Sequence, residues 1–345
     1  MTGRKLTIAD VAKRAGVSTG LVSFALNGKP GVAPETRERI LAIASDMGWQ
    51  PDMRARALSK GRALAYGLVI HRDPAVLSAD SFFPTFISGV ERAISQRGHV
   101  LVLSVVDSAE QEIETYRTLT ETGRVDGVFL TDVRRNDPRL ALMESLRTQV
   151  VVVGYPDTDA TMPVVSVADD HAAQELVAHL HALNHTDLAL VMGPEHLLHA
   201  SRWRDLILSA MQTRGMRVPR IVQTDFSAES GLIATKELLD SGDRPTAILY
   251  ANDQMALAGL GYARRSGIDV PSELSISGWG DSDLTRYAFP SLTTVAVDSA
   301  EWGFRAATAL MRAVAGAPQA PDVARQSILT IRESTALAPT AGVRS

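Results

Sequence analysis

A chain of 345 residues with 45% hydrophobic and 21% charged side chains can bury one large core, or two smaller ones with a small appendage. It holds no cysteine, which excludes disulfides and thiolate metal sites and fits a reducing cytoplasm, and no apolar run approaches the length of a membrane span. The net charge of −4 hides a split: residues 1–62 hold eleven Lys and Arg against five Asp and Glu, a balance of +6, leaving −10 for the remainder, the footprint expected when only the amino-terminal part meets phosphate.

The amino-terminal run MTGRKLTIADVAKRAG has no apolar stretch behind its basic residues, so neither export nor membrane insertion is expected. From Thr7 the chain reads as two short helices. Thr7 can cap the first, with Asp10 in the capping-box position and facing the positive end of the helix dipole. Ile8, Val11, Ala12 and Ala15 recur at helical spacing, Gly16 can take the positive φ at which the helix stops, and Val17 can plug the turn. Ser18 caps a second helix, on which Leu21, Val22, Ala25 and Leu26 fall on one side and Ser18, Thr19, Ser23, Phe24 and Asn27 mostly on the other. A helix-turn-helix needs this division, one face holding the pair together and the other entering a major groove; an ordinary αα-hairpin is the alternative from this stretch alone.

Gly28, Pro30 and Gly31 break that helix and Pro34 opens a third at a first-turn position. Ile40, Ile43, Ala44 and Met47 give it a buried stripe, Gly48 ends it, and Trp49 is expected beneath the three-helix head. After Pro51 comes a run from Met53 to Leu58 with Arg54, Arg56, Lys60 and Arg62 around it. It is too short to hold as a free helix, which suits a linker that orders on DNA.

At Leu64 the pattern changes. The runs AYGLVI, HVLVLSVV, VDGVFL, VVVVGY, LALVMG, TAILYA and LSISGWG read as buried strands, separated by helix-length segments such as ISGVERAISQRG, HAAQELVAHLHAL, TKELLDSG and MALAGLGYARRSG. Repeated βα predicts parallel sheet with helices on both faces. Small ligands of such sheets sit beyond the carboxyl ends of the strands, so the loops there are the place for a pocket.

These residues together resemble the lactose-repressor family of bacterial transcription factors. The resemblance rests on T-I-A-D-V-A-K-R-A-G-V-S from Thr7, V-S-x-x-L-N-G from Val22, and Pro51 followed by A-R-x-L at Ala55 to Leu58. ANDQMALA at Ala251 to Ala258, Val270-Pro271 and Leu292 to Val295 extend it through the core, from about Leu6 to Glu333. It implies a small all-α helix-turn-helix head (residues 1–50), a hinge helix or linker (51–62), and a periplasmic-binding-protein-like α/β core (63–339) of two parallel-sheet subdomains joined by three crossings. One subdomain takes about 63–164 plus 296–326, the other about 165–295 plus 327–339, and 340–345 form a flexible tail. It further implies a homodimer that reads a palindromic double-stranded DNA operator and a small-molecule effector in the core cleft. Ser18, Thr19, Gly20, Ser23 and Phe24 would then lie at the major groove, Thr7, Asn27 and Thr36 at phosphates, and Arg56 and Leu58 in the DNA-contacting hinge, with Leu58 as a minor-groove wedge.

Departures from the family pattern bear on specificity. Many members carry Arg at the position of Phe24, where a guanidinium takes guanine bidentately; a phenyl ring offers apolar contact, for example to a thymine methyl, or packs on sugar and backbone. Ala33 stands where a capping Ser or Thr is usual, with Pro34 and Glu35 as partial compensation. In the core, sugar-binding members use an Asp in a G-[YFW]-D-D run, whereas this chain reads Gly278-Trp279-Gly280-Asp281. The family's Arg-x-x-Gly becomes Ser201-Arg202-Trp203-Arg204-Asp205-Leu206, with Trp203 or a neighbouring Arg at the usual position. Asn252 stands where an amide enters the cleft, and Phe82, Phe83 and Trp279 could form stacking walls for a sugar ring, core packing being the alternative for each. The expected effector set is therefore Phe82, Phe83, Arg202, Trp203, Arg204, Asn252, Trp279 and Asp281, and the expected effector a carbohydrate or related metabolite.

His179, His181 and His185 invite a metal reading, as do His196 and His199, but His179 and His181 are two apart and point to different helix faces, His185 sits in L-N-H at the entry to a strand, and no metal or cofactor is expected. Asn184 of L-N-H can take the left-handed turn that Gly takes in the family. No G-x-x-x-x-G-K-[ST] or G-x-G-x-x-G run is present and no G-x-S-x-G stands at a strand-to-helix turn as a nucleophile elbow, so no enzyme is expected. A solute-binding protein remains the rival reading, as does an activator in place of a repressor. No leucine heptads occupy the tail, which predicts a dimer without a tetramerising coil.

Overall fold

A computed structural model describes residues 6–26, 28–49, 62–155, 162–318 and 322–339. The chain divides into two units between Arg62 and Ala63. In the amino-terminal unit, α1 (Ile8–Ala15), α2 (Thr19–Leu26) and α3 (Pro34–Asp46) surround a small core. The Thr7 backbone N–H and hydroxyl both donate to the Asp10 carboxylate, at 2.8 and 2.7 Å, and fix the start of α1. Gly16 stops α1 with φ 67°, and the Ser18 hydroxyl oxygen accepts from the Leu21 N–H at 3.2 Å to start α2. Val11, Ala12, Ala15, Val22, Ala25, Ile40 and Ala44 are buried together, with Val17, Leu26, Ile43, Met47 and Trp49 packed around them. Leu21 stays half-buried, outside this cluster. Ala33 gives α3 no side-chain cap, and Pro34 opens it.

The second unit carries two six-stranded sheets. Its elements begin with β1 (Ala65–His71), α4 (Pro74–Ala79), α5 (Phe82–Ile94), β2 (Val100–Val106), α6 (Ala109–Glu121), β3 (Gly127–Leu130), α7 (Pro138–Ser145), β4 (Gln149–Val153) and β5 (Val164–Val167). Then follow α8 (Asp170–Ala182), β6 (Leu188–Met192), α9 (Leu198–Gln212), β7 (Arg220–Gln223), α10 (Ala228–Asp240), β8 (Ala247–Tyr250), α11 (Asp253–Arg265) and β9 (Ser275–Gly280). The last are α12 (Leu284–Tyr287), β10 (Thr293–Ala296), α13 (Ser299–Val314), β11 (Asp322–Ala324) and β12 (Ile328–Thr330).

The first sheet has the order β11-β5-β4-β3-β1-β2 and the second β12-β10-β9-β8-β6-β7. Every pairing is parallel except β10 with β12. β1 and β6 lie inside their sheets and are apolar on both faces, which is why they read as continuous rather than alternating runs. In the first half, α5 and α13 bury Phe86, Val90, Ala306 and Leu310 on one face of the sheet, and Tyr116, Leu119, Leu142 and Met143 pack on the other. The second half has one continuous core from Ala172 to Val295.

Three crossings join the halves: from β5 to α8, from β10 back to α13, and from β11 to β12. β5 belongs to the first sheet, and α8 packs in the core of the second half.

Candidate functional site

Two surfaces carry chemistry. On α2 of the amino-terminal unit, Ser18, Thr19, Gly20 and Phe24 are exposed and Ser23 is half-buried. Phe24 is 43% exposed, an unusual state for a phenyl ring in so small a core, and the Lys29 ammonium stands 5.5 Å from the ring centroid. A cation over the ring face makes this corner both apolar and positive, suited to a duplex edge. Thr36 is half-buried on α3 and the Thr7 hydroxyl is engaged with Asp10. Asn27, Arg56 and Leu58, like the linker 51–61 and the tail 340–345, lie outside the described residues.

In the second unit a cavity of about 640 Å³ opens where the carboxyl ends of strands from both sheets meet. The first half contributes Arg72 after β1, Thr131 and Asp132 after β3, and Tyr155 after β4; the second contributes Asn252 and Asp253 after β8 and Trp279 to Asp281 at the end of β9. α9 brings His199, Arg202 and Trp203. Of the residues expected at an effector, Phe82, Arg202, Trp203, Asn252, Trp279 and Asp281 line this cavity. Phe83 and Arg204 do not. Phe83, 1% exposed, belongs to the core beneath, where its ring supports the Arg72 guanidinium at 5.8 Å. Arg204 turns to Glu195 and Asp205 on the surface.

Sequence reasoning missed Arg72, Asp80, Asp132, Tyr155, Phe226 and Trp302. Their signal was only position, since each stands in a loop or at a helix start beyond a strand. Phe82 and Trp302 meet edge-on at 5.5 Å and form one aromatic wall; Trp203 and Trp279 meet at 6.2 Å and 89° and form another.

Most polar groups in the cleft are already engaged. Arg72 donates from Nε and Nη2 to the two oxygens of Asp132, each at 2.9 Å. Burial would raise the Asp132 carboxyl, but Arg72 and His199 outweigh it and hold the carboxyl down at about 2. Burial holds His199 below its ordinary range against the pull of Asp132, and raises Asp80 against that of Arg72. Asp281 accepts from Arg332 at 2.6 Å. Asn252 uses both ends of its amide within the protein: Oδ1 accepts from the Met255 N–H to cap α11, and Nδ2 donates to the Phe226 carbonyl, both at 2.9 Å.

The Gly280 position has a physical reason to differ from an aspartate. Its φ is 133°, and a Cβ built there would stand 3.2 Å from Oδ2 of Asp253. The buried Asp253 carboxylate fills this space, accepting from the Thr294 hydroxyl at 2.6 Å and the Ser282 N–H at 2.7 Å.

The cleft is tied to the crossings. The Tyr155 hydroxyl donates to the Val167 carbonyl at 2.6 Å and lies 2.9 Å from Asp169, whose other oxygen accepts from Ser327 at 2.6 Å. Arg202, from the second half, stacks on the Tyr155 ring at 4.3 Å. A further link joins the halves where Arg134 and Leu197 form an antiparallel bridge and Leu198 N–H donates to the Val133 carbonyl at 2.9 Å. Tyr155, Asp169 and Arg202 thus both line the cavity and belong to the contacts near the crossings of the two halves.

Comparison with known proteins adds to this geometry. Residues 7–52 match the family described as bacterial regulatory proteins, lacI family, and residues 177–335 match a periplasmic binding protein-like domain. The chain is 31% identical over 304 residues to the HTH-type transcriptional regulator DegA of Bacillus subtilis strain 168, covering 87% of this chain and 88% of that protein. It is 32% identical over 295 residues, 84% of each chain, to the HTH-type transcriptional repressor PurR of Escherichia coli O1:K1 / APEC. The solved complex of the transcriptional regulator CelR with cellobiose superposes with a TM-score of 0.73 at 27% identity, over 95% of this chain and 99% of that one.

Proposed function

The chain belongs to the lacI family of bacterial regulatory proteins, and from that premise we propose how it acts as a DNA-binding transcriptional regulator. It works as a homodimeric repressor in the cytoplasm, reading a palindromic operator and responding to a carbohydrate in the core cleft. The observation that carries this is the pairing, in one chain, of a basic helix-turn-helix unit with an exposed recognition face and a ligand-sized, aromatic-walled cleft between two linked halves.

The groove face is Ser18, Thr19, Gly20, Ser23 and Phe24, with Thr7, Asn27 and Thr36 on phosphates and Arg56 and Leu58 in the hinge. Effector contacts come from Phe82, Arg202, Trp203, Asn252, Trp279 and Asp281, with Tyr155 and Trp302 added from the structure. Ligand in the cleft changes how the halves meet and so shifts the operator-competent population. A coupling of about 1–3 kcal/mol is enough for a 5- to 150-fold change in affinity. No catalytic role is proposed, in keeping with relatives that are regulators.

The test is selection of binding sites from random duplex DNA by the purified protein, followed by operator titration with and without sugars. A two-fold-symmetric site whose affinity changes with a sugar supports the proposal. Recovery of no enriched sequence, or affinity indifferent to every small molecule that binds the core, sinks it.

A further inference from the structure

Three atoms of cleft-lining side chains are left without partners in a site where nearly everything else is paired. The indole Nε1 of Trp203, a residue 7% exposed, Oε1 of Gln254 and Nε of Arg202 are buried and make no hydrogen bond among the described residues. All three residues line the cavity. The Gln254 amide is oriented by its Nε2, which donates to the Phe226 carbonyl; turning the amide over would set two carbonyl oxygens against each other. Oε1 is therefore an acceptor that meets no donor among the described residues. Buried polar atoms left open in this way mark the place of a missing partner.

The charge inventory narrows what that partner is. Six aspartates line the cavity (Asp80, Asp132, Asp169, Asp253, Asp281 and Asp283) against two arginines, and both arginines are engaged. Arg72 is held by Asp132, and Arg202 donates to Asp170 at 2.8 Å while stacked on Tyr155. A phosphate entering this site meets six carboxylates against two guanidiniums that are each already ion-paired with an aspartate. Its oxygens are acceptors, so they can take the Trp203 N–H but offer nothing to Gln254 Oε1. A hydroxyl serves both, because it accepts and donates. Gly280, bare of a side chain, leaves no carboxylate of its own to hold a hydroxyl, and Asp253 behind it is bonded to Thr294 and Ser282.

We infer that the cleft selects a neutral, hydroxyl-bearing ligand over its phosphorylated counterpart, with the Trp203 indole N–H and the Gln254 side-chain carbonyl as the atoms that read its hydroxyls. This rests on the reading of the cleft as the effector site. It adds a specificity and two determinants, of which Gln254 stands in the ANDQMALA run but outside the effector set expected from the sequence. The walls of Phe82 with Trp302 and of Trp203 with Trp279 supply apolar faces for the C–H side of such a ligand.

The experiment is a thermal-shift screen of the full chain against matched pairs, each confirmed by calorimetry. The pairs are neutral mono- and disaccharides with their 6-phosphates, and nucleosides with their 5′-monophosphates. The expected result is one neutral sugar that binds at least about tenfold tighter than its phosphate, with Trp203→Phe and Gln254→Leu each weakening it about fivefold or more. The melting temperature of each unliganded variant checks its fold, and Gln254→Met replaces Gln254→Leu if that variant melts early. A sugar phosphate binding as tightly as its parent sugar, or both variants binding like the wild type, overturns the inference while leaving a carbohydrate effector standing. A nucleoside that binds where its monophosphate and all sugars do not removes the carbohydrate and leaves the selectivity in place. No shift from any member of the panel overturns both.

Discussion

Phe24 is the residue whose chemistry sets this head apart. On the exposed side of α2 it stands among Ser18, Thr19 and Gly20, so the face is poor in long hydrogen-bonding side chains. On the proposed groove face, an apolar ring steadied by Lys29 would favour a thymine methyl over guanine. Binding-site selection with Phe24→Arg is expected to move the preference at one half-site position toward guanine, by roughly tenfold or more; identical preferred half-sites for both proteins would refute the assignment. His185 makes a second residue-scale prediction. It is fully buried, with Nδ1 2.9 Å from the Thr246 hydroxyl and Nε2 within 3.0 Å of Ser275 and the Ala336 carbonyl, and burial lowers its pKa. The folded state thus binds the proton less well than the unfolded chain, whose histidine titrates near about 6.5. Its contribution to stability is complete above that pH and is lost as pH falls through it. Denaturant melts from pH 7.5 to 5 should show stability falling, with a shallower slope in His185→Asn; an unchanged slope would show that other histidines carry the effect.

At the scale of elements, α5 and α13 are packed through glycine. A Cβ on Gly89 would run into the carbonyl oxygen of Ala300, and one on Gly303 into that of Phe86, so the two helix backbones nearly touch. Gly303→Ala is expected to cost about 1–3 kcal/mol, the range for forcing extra volume into a packed core. At roughly 2–4 °C per kcal/mol in a unit of this size the thermal midpoint should drop by several degrees. A midpoint within one degree of the wild type would show that the helices can separate freely. Another element-level feature is the segment after β3. Asp137 accepts from the Arg139 backbone to start α7, and the fully buried Arg139 guanidinium donates to Asp137 and, at 2.6 Å, to Glu112. That anchored turn holds Asp132 against Arg72 and Val133 against Leu198, and so positions one side of the cleft.

At the scale of the whole molecule, the proposal needs two copies of the chain. β2 ends the order of the first sheet, and its Val100, Leu103 and Val105 are exposed. Apolar residues on such an edge mark an interface or an aggregation hazard. Light scattering at micromolar concentration is expected to give a dimer, and Leu103→Glu to shift it toward monomer and weaken operator binding about tenfold or more, since one head alone cannot span a palindrome. A tetramer in the wild type would refute the expected dimer, and an unaffected dimer in the variant would place the interface elsewhere.

What the sequence determined by itself was local. The capping pair Thr7 and Asp10, the stop at Gly16, the stripe from Val11 to Ala44 and the continuous runs of β1 and β6 all act over a few residues, so their spacing is enough to read them. Asn184 is the same kind of case, with its φ of 66° where the family has glycine. The short strands β5, β7, β11 and β12 were not legible, because four residues or fewer at a sheet edge or crossing bear no periodicity of their own. The cleft was half legible. Asn252, Gln254 and Trp279 stand in motifs, but their neighbours Arg72, Asp132 and Tyr155 acquire meaning only when separate strands end at one place. Phe82 and Phe83 show the limit most sharply: adjacent in the chain and alike in chemistry, they divide between cavity and core because successive residues of a helix point about 100° apart. Only the tertiary structure decides which of the two meets a ligand.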